Sequence, residues 1–168
     1  MKEWIKDILI ALVIAIIVVQ FIKPTIVKES SMQPNFYEND YLFLSKQSYT
    51  FSEPERGDVI VFHSDLKQDN GKEKLLIKRI IGLPGDEIDI KDGQVYINGE
   101  LFEEDYIKED YTWGEISDLV VPEGQLFVMG DNRRVSRDSR ELGCIKEDDV
   151  VGKAVIRVYP FSEFGLIK

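Results

Sequence analysis

The chain has 168 residues, a formal net charge of −10, 43% hydrophobic and 31% charged residues, and one cysteine, Cys144. That length suits one domain with a sizeable core, and the share of Ile, Val, Phe and Tyr excludes a disordered chain. The acidic balance argues against a nucleic-acid partner, which needs clustered Lys and Arg, and one cysteine leaves no disulfide framework or Cys-rich metal site.

The first element is apolar. Residues 8–22, ILIALVIAIIVVQFI, hold a single polar residue, Gln20. As a helix this is roughly 22 Å long at about 1.5 Å per residue, short of a ~30 Å hydrocarbon core. Trp4 and Ile5 extend it, and Lys6 and Lys23 can snorkel. A core helix would carry a polar stripe. A cleaved secretory signal would be followed by small residues, where QFIKPTIVKE stands instead. The expectation is an uncleaved transmembrane anchor within residues 1–25. Lys2 and Lys6 are offset by Glu3 and Asp7, so charge alone leaves its orientation open.

After Pro24 the pattern changes to short runs rich in Val, Ile, Phe and Tyr. YLFLSK (41–46), DVIVFH (58–63), LLIKRIIG (75–82), EIDI (87–90), QVYING (94–99), QLFVMG (125–130) and AVIRVYP (154–160) are predicted strands. KDGQ and NGE supply hairpin turns. Strands at this spacing predict a mainly β domain over residues 26–168, barrel-like or a sandwich. The acidic stretch 99–118 has no clear periodicity and no calcium-loop spacing, so it is taken as a solvated loop or subdomain. No metal or cofactor is implied.

Two serines, Ser30 and Ser31, precede a Met-x-Pro turn in ESSMQPNFYEND (29–40). A nucleophilic serine needs a base. The single histidine, His63, ends a predicted strand with no local carboxylate arrangement to orient it, which disfavours a histidine triad. An ordinary lysine is a poor base: with a pKa near 10.4, only about one in 2,500 is neutral at pH 7. Burial lowers that pKa by disfavouring the charged form. In LLIKRIIGLPGD, Lys78 lies mid-strand with Leu76 and Ile80 on its own face and Arg79 on the other. Pattern alone leaves two readings, a desolvated base or an edge-strand lysine that discourages aggregation.

SSMQPNF, RGDVIVF, LIKRIIGLPGD and MGDNRRVSRDSRELG follow one another in this order behind the anchor, and VGKAVIRVYP lies near the C-terminus. Together they resemble the bacterial type I signal peptidases, of the compact kind found in Gram-positive bacteria. The resemblance implies a membrane-anchored serine endopeptidase that removes signal peptides from secretory preproteins after small residues, without a cofactor. It implies Ser31 as nucleophile and Lys78 as general base, a dyad that needs no histidine. Ser136 matches a serine that hydrogen-bonds the lysine amine. Asp138 and Arg140 match an ion pair bracing the site, and Asp131 and Asn132 are taken as structural. Met32, Phe36, Leu76 and Ile77 are the expected lining of shallow substrate pockets. The partners implied are signal peptides and the lipid bilayer, with the catalytic domain on the extracytoplasmic side and a cytoplasmic tip. The short span between GLPGD and VMGDN implies a reduced second subdomain, about 86–124.

Two positions depart from the family pattern. Asn35 stands where Thr is usual, and Glu29 stands where some members place a serine that donates to the oxyanion. An ionised carboxylate cannot donate, so the oxyanion falls mainly to the Ser31 backbone N–H. Two other functions share some features. A self-cleaving repressor-type protease would need a DNA-binding helix-turn-helix in place of the anchor. A membrane-tethered binding module on a catalytically dead scaffold would have no reason to retain Ser31, Lys78 and Ser136 together.

Overall fold

A computed structural model describes residues 2–68 and 70–167, with the side chains of residues 2, 3, 14–18 and 51 outside the description. Helix α1, Lys2–Phe21, runs directly into strand β1, Ile22–Ile26. The expected anchor thus ends one residue earlier than its apolar run. Ile22 to Ile26 instead pair antiparallel with β2, Tyr41–Ser45, in the register Ile22 with Ser45 through Ile26 with Tyr41. A strand containing Pro24 is tolerable here because β1 is the edge of its sheet, where a missing N–H breaks no inner ladder. Among the described residues no helix is long and apolar enough to cross a membrane. The stretch that carries the anchor expectation includes residues 14–18, whose side chains lie outside the description.

The body is mainly β and antiparallel. β3 (Val59–Lys67), β4 (Glu73–Gly82), β9 (Gln125–Met129), β10 (Ile145–Lys146) and β11 (Val150–Tyr159) join β1 and β2 in the order β1-β2-β11-β3-β4-β9-β10, and β12 (Gly165–Leu166) pairs with β11. A second sheet, ordered β7-β6-β5-β8, comprises β5 (Glu87–Lys91), β6 (Gln94–Ile97), β7 (Glu100–Leu101) and β8 (Ile116–Val120). Asp92-Gly93 and Asn98-Gly99 close its two hairpins with φ of 53° and 77°, and of 54° and 82°, the left-handed pairs a tight two-residue turn requires. β8 emerges from the acidic stretch taken as solvated. Its burial alternates only weakly, which explains the absent periodicity.

The inner strands bury both faces. Along β3, Val59 and Val61 enter a cluster with Val27, Met32, Leu42 and Leu44, whereas Ile60 and Phe62 enter another with Leu76, Ile80, Leu126 and Val128. β9 turns Phe127 and Met129 toward a third cluster, with Ile81, Ile88 and Ile90, which joins the two sheets. The long inner strand β4 is therefore a place where a lysine can be fully desolvated.

Candidate active site

Ser31 lies in a single 3₁₀ turn, Ser30–Met32, immediately after the chain leaves β1. Asn132 holds this turn from the opposite loop. Its backbone N–H donates to Ser31 O at 3.0 Å, and its Nδ2 donates to Ser30 O at 3.2 Å. The Ser31 amide donates in none of the described turn and loop hydrogen bonds, so it is available to an oxyanion.

Lys78 comes from the middle of β4, opposite Ile60 on β3. It is 1% exposed, and Ser31 is 5% exposed. Lys78 Nζ donates to Ile77 O at 2.9 Å and is hydrogen-bonded to Ser31 Oγ at 2.7 Å. Burial pushes the Lys78 pKa down to about 8, against the pull of the Asp138 and Glu29 carboxylates, and nearby Lys74 adds to the lowering. At that value roughly one amine in ten is neutral at pH 7, about 250 times the share of a solvated lysine. That 2.7 Å separation is within reach for a proton to pass between the serine oxygen and a neutral amine.

The loop after β9 places a buried ion pair near Lys78. Asp138 takes a two-pronged hydrogen bond from Arg140, Nε to Oδ1 and Nη2 to Oδ2, both 2.8 Å, and accepts from the Gly130 N–H at 3.0 Å. Burial alone would raise this carboxyl, but the Arg140 hydrogen bond and charge outweigh it and hold it below the ordinary carboxylate value. The expected bond between Ser136 and the lysine amine is not made. Lys78 Nζ turns to Ser31 and Ile77, and Ser136 Oγ is buried without a hydrogen-bond partner among the described residues. The hydroxyl lies beside the Asp138 carboxylate, whose charge it favours, without full hydrogen-bond geometry.

Of the four expected pocket residues, Leu76 and Ile77 line a groove near Ser31, and Phe36 borders a separate cavity of about 930 Å³ with Arg79, Arg157 and Tyr159. Leu76 and Ile77 border a cavity of about 410 Å³ with Ile26, Val27, Val61 and Leu75. Leu76 also borders a mouth of about 300 Å³ that contains Ser30 and Ser31. Met32 and Phe36 do not line either. They are 0% and 2% exposed and pack with Val27 and Leu42 in the core beneath Ser31. His63 is half-exposed on β3, 3.3 Å from Glu73, with no described contact to Ser31 or Lys78.

The profile of one family, described as signal peptidase, peptidase S26, matches residues 1–159. The chain belongs to the S26 family. It is 38% identical over 180 aligned residues to signal peptidase IB of Staphylococcus aureus strain COL, covering 96% of this chain and 91% of that one. It is 39% identical to signal peptidase I of Leptolyngbya laminosa over 98% of this chain and 83% of the other. The crystal structure of a signal peptidase I from Enterococcus faecalis V583 aligns with a TM-score of 0.51 at 36% identity, covering 61% of this chain and 97% of that chain.

This S26 chain carries a buried polar frame that the strand pattern did not disclose. Arg79, next to Lys78, forks onto Asp131 with bonds of 2.9 and 2.8 Å. Asn35, the residue at the departure from the usual Thr, donates to Asp131 Oδ2 at 2.8 Å and to Tyr106 O at 2.6 Å. Arg133 likewise forks onto Glu104, and donates to Thr112 Oγ1 at 2.6 Å. One signal was available: an arginine in an apolar inner strand demands a buried carboxylate, and Asp131 lies in the MGDN loop.

Ser136→Ala removes a hydroxyl with no bond to the amine, so cleavage is expected to slow only about tenfold, or ~1.4 kcal/mol. Steady-state kinetics on a short peptide substrate check this. A loss near that of a Lys78 variant would mean that Ser136 holds the amine directly.

Proposed function

We propose that this chain is a membrane-anchored serine endopeptidase that removes signal peptides from secretory preproteins after small residues, with Ser31 as nucleophile and Lys78 as general base. One observation carries the reading: a fully buried lysine amine lies 2.7 Å from the oxygen of a serine that borders the 300 Å³ mouth. Buried lysines are costly unless used, and this one has no carboxylate partner within hydrogen-bond reach among the described residues.

The steps follow from the geometry. An extended substrate segment lies in the groove beside Leu76 and Ile77, and its scissile carbonyl reaches Ser31 at the mouth. Small side chains suit the positions nearest Ser31, since the mouth holds only about 300 Å³ and Leu76 lines it. Neutral Lys78 takes the Ser31 proton as Oγ bonds the carbonyl carbon, and the Ser31 N–H faces the developing oxyanion. The ammonium returns its proton to the departing amine, leaving an acyl-serine. Water then gives a proton to the again neutral lysine as its oxygen bonds the ester carbon, and the ammonium returns that proton to Ser31 Oγ as the carbon–Oγ bond breaks and the acid leaves.

The apolar run 8–22 supports an anchor that leads straight into β1, so the groove starts where the chain would leave a bilayer. In this reading the catalytic domain is extracytoplasmic, where translocated signal peptides present their cleavage sites. Purified protein in detergent, incubated with secretory precursors, is expected to cut each once, after a small residue beyond the apolar stretch. Cuts elsewhere, or none by a folded preparation, would overturn the substrate class.

A further inference from the structure

Ser31 and Lys78 are bridged, and so are their chain neighbours. Glu29, two residues before the nucleophile, forms an ion pair with Lys74, four residues before the base. The same two chain segments are thus joined twice, once through the dyad and once through this pair. Glu29 and Lys74 also border both the 410 Å³ groove and the 300 Å³ mouth, so the pair stands where the two cavities meet. The side chains are 44% and 35% exposed. Exposed pairs of this kind add little stability, which leaves their position at the site as the feature to explain.

We propose that the Glu29–Lys74 ion pair is a positioning device for the dyad, a rung that fixes the nucleophile turn against β4 and balances the charge that Lys78 meets at the mouth. This rests on the reading of Ser31 and Lys78 as nucleophile and base.

Lys78 meets charge from every side. The loop after β9 presents Asp138 and Asp131, each neutralised by a forked arginine, Arg140 and Arg79. Arg137, also at the mouth, is exposed and bound to Glu141. The nucleophile segment presents Glu29, and β4 itself presents Lys74. Glu29 favours the charged form of Lys78 and Lys74 opposes it, so the two effects offset each other while the pair is whole. Removing one member leaves the other uncompensated. Attack at Ser31 also creates negative charge at this mouth, which Lys74 attracts and Glu29 repels.

The test is the pH dependence of kcat/KM for wild type, Glu29→Gln, Lys74→Met and the double variant, each checked for folding by thermal unfolding. Glu29→Gln is expected to move the acidic limb down by roughly half a pH unit, and Lys74→Met to move it up by about as much. The double variant is expected to return the limb near its wild-type position with a lower plateau, since the rung is gone. High salt shrinks both shifts. A purely structural pair would lower plateaus without moving the limbs in opposite directions, and that outcome would overturn the proposal, as would unmoved limbs. If instead the wild-type limb lay near 6.5 and vanished with His63→Ala, the dyad reading would fail, which is a separate result.

Discussion

Ser31→Ala and Lys78→Met are each expected to reduce precursor cleavage by roughly 10⁴-fold or more, the scale on which members of a nucleophile–base pair fail singly. Stability should separate them. Ser31→Ala removes a small hydroxyl and should leave unfolding nearly unchanged. Lys78 is different, because its folded-state pKa of about 8 lies below the ordinary 10.5. The unfolded chain therefore binds more protons between those values, and stability rises with pH through that window. Below pH 8 the full cost of burying the charge is present. A drop of that size is worth about 3 kcal/mol. Lys78→Met keeps much of the volume without the charge, so at pH 7 it should unfold several degrees higher than wild type. Thermal unfolding at pH 7 and pH 11 checks this: the gain should shrink at the higher pH. A destabilised Lys78→Met, or one that still cleaves, would contradict the assignment of a desolvated base.

Gly130→Ala is expected to lower kcat by about 10²- to 10³-fold with KM little changed. A Cβ at this position would lie 2.3 Å from Ser136 Oγ and 2.5 Å from Ser31 O. The hydroxyl can rotate away. The Ser31 carbonyl cannot, since Asn132 N–H holds it at 3.0 Å and moving it moves the nucleophile. Displacement of a reacting group by about an ångström costs on the order of a hundredfold. Adding Ser136→Ala should therefore not rescue the variant. Full activity in Gly130→Ala would mean that the nucleophile turn is free to shift without loss of function.

The inner strands were legible because they bury both faces. β3, β4 and β9 contain the short apolar runs VIVF, LLI, II and LFVM, and Lys78, set between two of them beside Arg79, stood out. The hairpins at Asp92-Gly93 and Asn98-Gly99 were legible from turn chemistry. β1 was not, because its apolar residues continue those of α1 and its edge position permits Pro24, a residue that argues against a strand. β8 was hidden by an exposed, acidic composition whose pairing with β5 depends on distant residues. In the site, the spacing placed Ser31 and Lys78 on separate elements, and only the tertiary structure brings them to 2.7 Å. Met32 and Phe36 looked like pocket residues because they neighbour the nucleophile. Both pack into the core instead, Met32 from the 3₁₀ turn itself and Phe36 from the turn that follows, where it borders a different cavity. The carboxylates that answer Arg79 and Arg133 were beyond local pattern, since the partners lie 52 and 29 residues away.

In the proposed dyad the base is a lysine made neutral by burial. The pH dependence of kcat/KM on a short peptide in detergent tests it most directly, in wild type and His63→Ala. Because the base must lose its proton before it acts, kcat/KM should rise with pH through the Lys78 pKa of about 8 and stay high above it. The His63→Ala profile should superimpose on that of wild type. A limb near ~6.5, the value of an unperturbed histidine, that disappears in His63→Ala would contradict the account.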